Sequence, residues 1–227
     1  MSKNKEVVYD YKFLKDTIIH LGTKHDTWKV FNDFLAITTY SISNVACFSE
    51  DREKEYLKLI NSYSKDEQKL FPMMLTSLVN SLDPDDFNDV LGTLFEELEL
   101  HNKWKGQFFT PDSVCKIMSE ITLNAASIKK EIEDNGYITL SDPACGSGRL
   151  FYSALKFMKD NNINFHKQVF IEATDVSSMC VYMTFIQLSL YGANAKVILG
   201  NTLSLETYDV FYTPMSKVFP IKFKKDE

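Results

Sequence analysis

The spacing of apolar residues divides the chain into two grammars. In "DTWKVFNDFLAITTYSISNVA", Trp28, Phe31, Leu35 and Ile42 recur near helical spacing with Phe34 beside them, which predicts an amphipathic helix. "SKDEQKLFPMMLTSLVNSL" predicts another, opened by Ser64 and Glu67 in capping-box spacing. "DPDDFNDVLGTLFEEL" predicts a third, with Asp83 as N-cap and Pro84 at the first helical position. Asp85 and Asp86 then favour the positive end of its dipole. Through residue 103 nothing alternates as a strand does and nothing repeats, and "KEVVYD" is too short to assign.

From Trp104 onward the pattern changes. "TPDSVCKIMSEIT" predicts a helix with Thr110 as cap and Pro111 next. "GYITLSDPACG" is a short β-run that ends in a glycine loop, and "GRLFYSALKFMKD" is an amphipathic helix. "QVFIEATD" is a second β-run, and "SSMCVYMTFIQLSLYG" a helix closed by Gly192. "AKVILGN" is a third β-run and "YDVFYTP" a candidate fourth. The tail "KVFPIKFKKDE" reads as a last short strand or as disorder. Strands alternating with helices predict a parallel sheet of βαβ units. The expected organisation is a helical domain over residues 1–103 and an α/β domain over 104–227.

Composition narrows the function. Hydrophobic residues make up 44% and charged residues 25% of 227, the balance of an ordinary globular chain. No apolar run approaches the roughly 18 residues of a membrane span, and "MSKNKEVVYD" lacks the apolar core of a signal peptide. The expectation is a cytoplasmic protein without a membrane partner. Cys47, Cys115, Cys145 and Cys180 form no CxxC pair and read as reduced thiols. His20, His25, His101 and His166 show no metal spacing, so no metal site is expected. Residues 1–103 carry 12 Lys and Arg against 18 Asp and Glu, and residues 104–227 carry 13 of each. Neither half has the basic footprint of a self-sufficient DNA binder. A nucleic-acid substrate therefore requires a local patch or a partner.

The chemistry concentrates in "DPACGSGRL". Ligands of open α/β sheets sit at the carboxyl ends of the strands. Gly146 and Gly148 lack a Cβ there, so the backbone can turn sharply and bring its N–H groups to a ligand. The helix that follows adds a positive end for an anionic group. A carboxylate at the end of the next β-run suits ribose hydroxyls; Asp175 stands there, with Glu172 competing from three residues earlier. This layout serves any nucleoside cofactor. The dinucleotide fingerprint GxGxxG is incomplete, because Leu150 and Phe151 follow Gly148 without a third glycine. That disfavours a hydride-transferring oxidoreductase. A Walker A loop is absent from the sequence.

"KGQFFTP" upstream of "DPACGSG", in that order, resembles the methyltransferase family that acts on N6 of adenine in DNA, in particular the modification subunits of type I restriction systems. The resemblance is good over residues 80–205 and looser before them. It implies a Rossmann-like sheet, S-adenosyl-L-methionine as cofactor and DNA as substrate. It implies that Gly106, Gln107, Phe108, Phe109, Thr110 and Pro111 pack over the methionine part of the cofactor. Asp142, Pro143, Ala144, Cys145, Gly146, Ser147 and Gly148 resemble the segment holding its amino and carboxylate ends. Asp175 with Val176 resembles the ribose and adenine site, and Asn201 stands where the family places a polar residue near the adenine amino group. Phe108 and Phe109 also read as plain core. Cys145 is not read as a nucleophile, because it lies in the cofactor loop with no histidine near it in sequence.

Such enzymes flip the adenine out, stack it on an aromatic ring and aim acceptors at its amino group. By resemblance those groups come from an [NDS]PP[YF] motif after the fourth strand. That motif is absent. Its place reads "FYTPMS", where Tyr212, Thr213 and Pro214 are the divergent candidates. The sheet also offers three or four strands where the family has around seven, leaving an edge that needs cover. Three readings stand: a small adenine-N6 methyltransferase with a divergent motif, a silent cofactor-binding subunit completed by a protein partner or a second copy, or a methyltransferase of RNA or protein.

Overall fold

The computed structural model describes residues 8–100 and 109–221. Six helices come first: α1 (Tyr11–His25), α2 (Thr27–Ala46), α3 (Glu50–Ile60), α4 (Lys65–Gln68), α5 (Leu70–Ser81) and α6 (Val90–Glu97). Beyond residue 108 follow α7 (Asp112–Thr122), α8 (Ala125–Asn135), β1 (Ile138–Asp142), α9 (Arg149–Asp160) and α10 (Phe165–Gln168). The chain continues through β2 (Val169–Asp175), α11 (Ser178–Leu190), β3 (Asn194–Asn201), β4 (Glu206–Tyr212) and α12 (Met215–Val218). The segment "KEVVYD" is only partly described, and the expected junction near residue 103 lies outside the described residues.

Local chemistry sets most boundaries. Ser64 and Glu67 form the capping box of α4. Gly192, at φ 71°, follows α11. Its N–H bonds to Ser189 O and that of Ala193 to Leu188 O, the paired 5→2 and 6→1 closure of a helix end. Two expected caps differ. Asp83 accepts from the N–H of Asp85 and Asp86, but it closes only a turn. Phe87, at φ 54°, breaks the backbone, and α6 begins later with Asp89 as its N-cap. Thr110 makes no cap either. Pro111 occupies the N-cap of α7, without a side-chain bond.

Helix α11 organises the interior. Ten of its residues, Met179 through Leu188, are buried, as expected of a helix wrapped on all sides. It packs on β2 and β3, and also on α2 and α6. The core therefore runs without a break from Leu14 in α1 to Phe211 in β4.

The sheet order is β1-β2-β3-β4. Strands β1, β2 and β3 are parallel, as expected. Strand β4 is antiparallel to β3, which corrects the expectation of a wholly parallel sheet. Only the turn at 202–205 separates the two strands, and a parallel return needs a crossover of a dozen or more residues. Asn201 Oδ1 accepts from the N–H of Leu203 and Ser204 and folds that turn. One sheet face carries Ile171, Ala173, Ala195, Val197 and Phe211, all fully buried. Phe211 meets Phe185 and Tyr182 of α11. The other face buries Phe170 but is otherwise more open, with Thr139 and Ser141 exposed and Glu172 paired to Lys196.

Candidate cofactor site

Strand β1 ends at Asp142, and the loop 143–148 carries the chain into α9. Asp142 Oδ1 accepts from Ala144 N at 2.9 Å. Cys145 N donates to Thr174 O, hooking the loop onto β2. Gly146 and Gly148 both adopt left-handed backbones, at φ 56° and 95°, a region nearly free of cost for glycine alone. A Cβ on Gly146 would lie 3.2 Å from the Phe109 ring, and one on Gly148 would lie 2.6 Å from the Tyr152 hydroxyl. That hydroxyl cannot yield easily, because it is buried and donates to Ser147 O at 2.6 Å.

Asp175 closes β2 beside the loop. Its carboxylate accepts from Gly146 N at 2.9 Å and Ser177 N at 2.8 Å. Burial pushes its carboxyl above the ordinary range, while the N–H groups of Ser177 and Gly146 pull the other way. Thr184 of α11 donates to Gly146 O at 2.9 Å. Val176, next to this buried carboxylate, is 64% exposed. Asn201 closes β3 at the same end of the sheet, and Thr202 donates to Pro143 O at 2.6 Å, tying the β3–β4 turn to the loop.

The structure thus brings together Phe109, Thr110, Pro111, Asp142, the loop 143–148, Asp175, Val176 and Asn201. Gln107 and Phe108, with Gly106, lie outside the described residues. Phe109 is half-buried against Phe95, with the Arg149 guanidinium over its ring. Thr110 contributes its carbonyl, which accepts from Arg149 Nη1 at 3.4 Å. The Cys145 thiol is buried and pushed up, by desolvation first and by Asp175 second, which suits an inert packing group.

Two predicted groups stand elsewhere. Glu172 lies three residues before the strand end, on the open face, with Lys196 Nζ 3.0 Å away. Tyr212, Thr213 and Pro214 lie at the opposite end of the sheet. Because β4 runs antiparallel, Tyr212 registers with Lys196 near the start of β3. That is five residues, or about 16 Å of strand, from the carboxyl end. Thr213 is fully buried. Its hydroxyl donates to Ala193 O at 2.7 Å and accepts from Ala195 N at 2.9 Å.

Sequence reading missed Asp89, Arg149, Thr184 and Gln187, which brace the loop from behind. A signal was present: Gln187 is a lone amide in the apolar run "CVYMTFIQLSL", and a polar group in such a run requires a buried partner.

A parallel strand, a turn through two left-handed glycines and a buried carboxylate from the next strand define a nucleoside-cofactor protein of the α/β class. The chain belongs to the N-6 DNA Methylase family, whose model matches residues 82–218. It is 25% identical over 207 residues to the type I restriction enzyme MpnII methylase subunit of Mycoplasma pneumoniae, covering 89% of this chain and 34% of that one. It is 28% identical over 114 residues to the type I restriction enzyme MjaIX methylase subunit of Methanocaldococcus jannaschii, covering 48% and 18%. The type II methyltransferase M.MamI of Microbacterium ammoniaphilum is 27% identical over 113 residues, with 46% and 31% covered. The chain spans about a third or less of the length of these curated relatives.

S-adenosylmethionine is the cofactor the family implies, and the residues present fit it. Two left-handed glycines set the loop, a Cβ at Gly146 would crowd Phe109 on the side the cofactor would take, and an apolar side chain stands open beside a buried carboxylate. Among the described residues, no helix is long and apolar enough to cross a membrane.

Proposed function

We propose that this chain binds S-adenosylmethionine and forms the cofactor-holding part of a DNA methyltransferase that acts on N6 of adenine in a restriction-modification system. The observation that carries the reading is the cross-tied loop: two left-handed glycines, the first anchored to Asp175 through its N–H, with exposed Val176 at its mouth. Loop residues 143–148 and the start of α9 receive the charged methionine end. Asp175 is favoured over Glu172 for the ribose, because it alone stands at the carboxyl end. A carboxylate has about four acceptor sites, so its two backbone N–H bonds leave capacity for hydroxyls. Val176 flanks the adenine ring and Asn201 faces its edge. Phe109, Thr110 and Pro111 close one side. When bound, S-adenosylmethionine supplies an electrophilic methyl group.

A second reading concerns catalysis. The buried Thr213 hydroxyl, spent on the backbone of Ala193 and Ala195 at the far end of the sheet, supports a chain that is silent alone. In that reading a protein partner, or a second copy, brings the acceptors for the adenine amino group. The free edge suits such a partner. Strand β1 pairs only with β2 among the described residues, and α7 exposes Val114, Ile117, Met118 and Ile121 at i, i+3, i+4 and i+7. DNA then binds through the assembled complex, in the cytoplasm.

Calorimetric titration of the chain with S-adenosylmethionine tests the first reading, with NAD and an Asp142→Ala variant as controls. Saturable binding, absent for NAD and lost in the variant, is expected. No binding by the unaltered chain would overturn it. Transfer of a labelled methyl group to duplex DNA by the isolated chain would overturn the silent-subunit reading.

A further inference from the structure

Asp89 is buried, at 4% exposure, and most of its partners lie on elements that shape the glycine loop. As the N-cap of α6 it accepts from Gly92 N at 2.8 Å, which is all a cap requires. Its carboxylate also accepts from Ser147 Oγ at 2.5 Å, Arg149 Nε at 2.7 Å and Gln187 Nε2 at 3.0 Å. Ser147 is inside the loop and Arg149 is the first residue of α9. Gln187 Nε2 also donates to Tyr152 Oη, whose hydroxyl donates to Ser147 O. Ser147 is therefore held by its side chain and by its carbonyl, and both holds return to Asp89.

The junction is built closely. A Cβ on Gly92 would overlap the Asp89 carboxylate and lie 2.7 Å from Ser147 Oγ. A helical glycine otherwise costs about 1 kcal/mol. Arg149 carries the hold outward, to Glu96 at 3.0 Å, to Thr110 O and over the Phe109 ring. Burial works against its charge, and Glu96 and Asp89 more than offset that. One buried carboxylate thus sets both the loop and the segment that packs on it. Asp33 provides the contrast. It is equally buried, but its partners Lys29 and Tyr63 stay within the helical layer.

We propose that Asp89 is a positioning residue for the cofactor site: acting through Ser147 and Arg149, it holds the glycine loop and Phe109–Thr110 in the arrangement that binds cofactor, without touching the cofactor itself. The inference rests on the S-adenosylmethionine reading above. The test is calorimetric Kd for S-adenosylmethionine, read beside the melting temperature, for the full chain and for Asp89→Asn, Ser147→Ala and Asp33→Asn. Asp89→Asn is expected to raise Kd by about tenfold or more. Ser147→Ala, a milder change that serves if Asp89→Asn does not fold, is expected to raise it by about threefold. Asp33→Asn is expected to lower the melting temperature and leave Kd unchanged. Unchanged Kd in either loop-side variant overturns the proposal, as does loss of affinity that simply tracks melting temperature across all three. Failure of the unaltered chain to bind removes the cofactor reading, and this inference with it.

Discussion

At each end of the sheet a strand runs into a proline, and the two ends behave oppositely. At the carboxyl end, Pro143 follows β1 and the chain turns through Gly146 and Gly148. There Asp175 and Thr184 hold loop backbone, and Val176 stays open to solvent. At the amino end, Pro214 follows β4, and Thr213 turns inward to serve the backbone of Ala193 and Ala195. Polar side chains at the first end brace a cradle. At the second, one finishes a sheet. The difference teaches that strand direction assigns a motif its chemistry. "FYTP" has a proline and an aromatic, but an antiparallel β4 delivers them away from the cofactor loop.

Substitutions can break this contrast, and the largest effect belongs to the carboxyl end. Gly148→Val puts a β-branched residue at φ 95° and a Cβ against the Tyr152 hydroxyl. It is expected to abolish saturable S-adenosylmethionine binding in calorimetry and to cost about 2–4 kcal/mol in denaturant unfolding. Thr213→Val is the matching change at the other end. Loss of its two backbone bonds is expected to cost about 1–3 kcal/mol of stability, with cofactor Kd unaltered. A rise in Kd there as large as that of Gly148→Val would erase the contrast. Tyr212, 42% exposed on the open face, sharpens it further. Tyr212→Ala is expected to change stability by no more than about 0.5 kcal/mol and to leave binding intact.

The smallest effect lies in the helical layer and appears on acidification. The backbone N–H of Ser64, then Lys24 and lesser contacts including His25, hold the Glu67 carboxyl down to about 2 from 4.5. A depressed native value adds stability above the unfolded value that is lost as pH falls. Glu67→Gln is therefore expected to flatten the acid limb of the stability curve between about pH 4.5 and 2, as followed by circular dichroism. An unchanged acid limb would place that loss on other carboxylates.

What could be read from sequence was local. The loop "DPACGSG" announced itself because its glycines, its preceding β-run and its following helix are contiguous. The capping box at Ser64 needed only four residues. Asp83 misled because its local pattern is a true capping signal, spent on a turn once Phe87 takes a left-handed backbone and buries its ring. The direction of β4 depended on the length of one turn and on the Asn201 side chain that folds it. Asp89 stayed hidden because Ser147 is 58 positions away and Gln187 is 98. No spacing rule connects them; only the fold does.

The cysteines acquire an unforeseen use. Cys47 is exposed, while Cys115, Cys145 and Cys180 are buried. A maleimide reagent therefore modifies the native chain once and the unfolded chain four times. Cys145 is part of the glycine loop, donating weakly to Thr184 and to Gly146 O. Its slow alkylation, timed by mass spectrometry after Cys47 has reacted, becomes a clock for local opening. When reclosing outpaces alkylation, the rate of that permanent mark follows the population of the open cradle, so the rigidity that Asp175 and Asp89 confer becomes a rate read one site at a time.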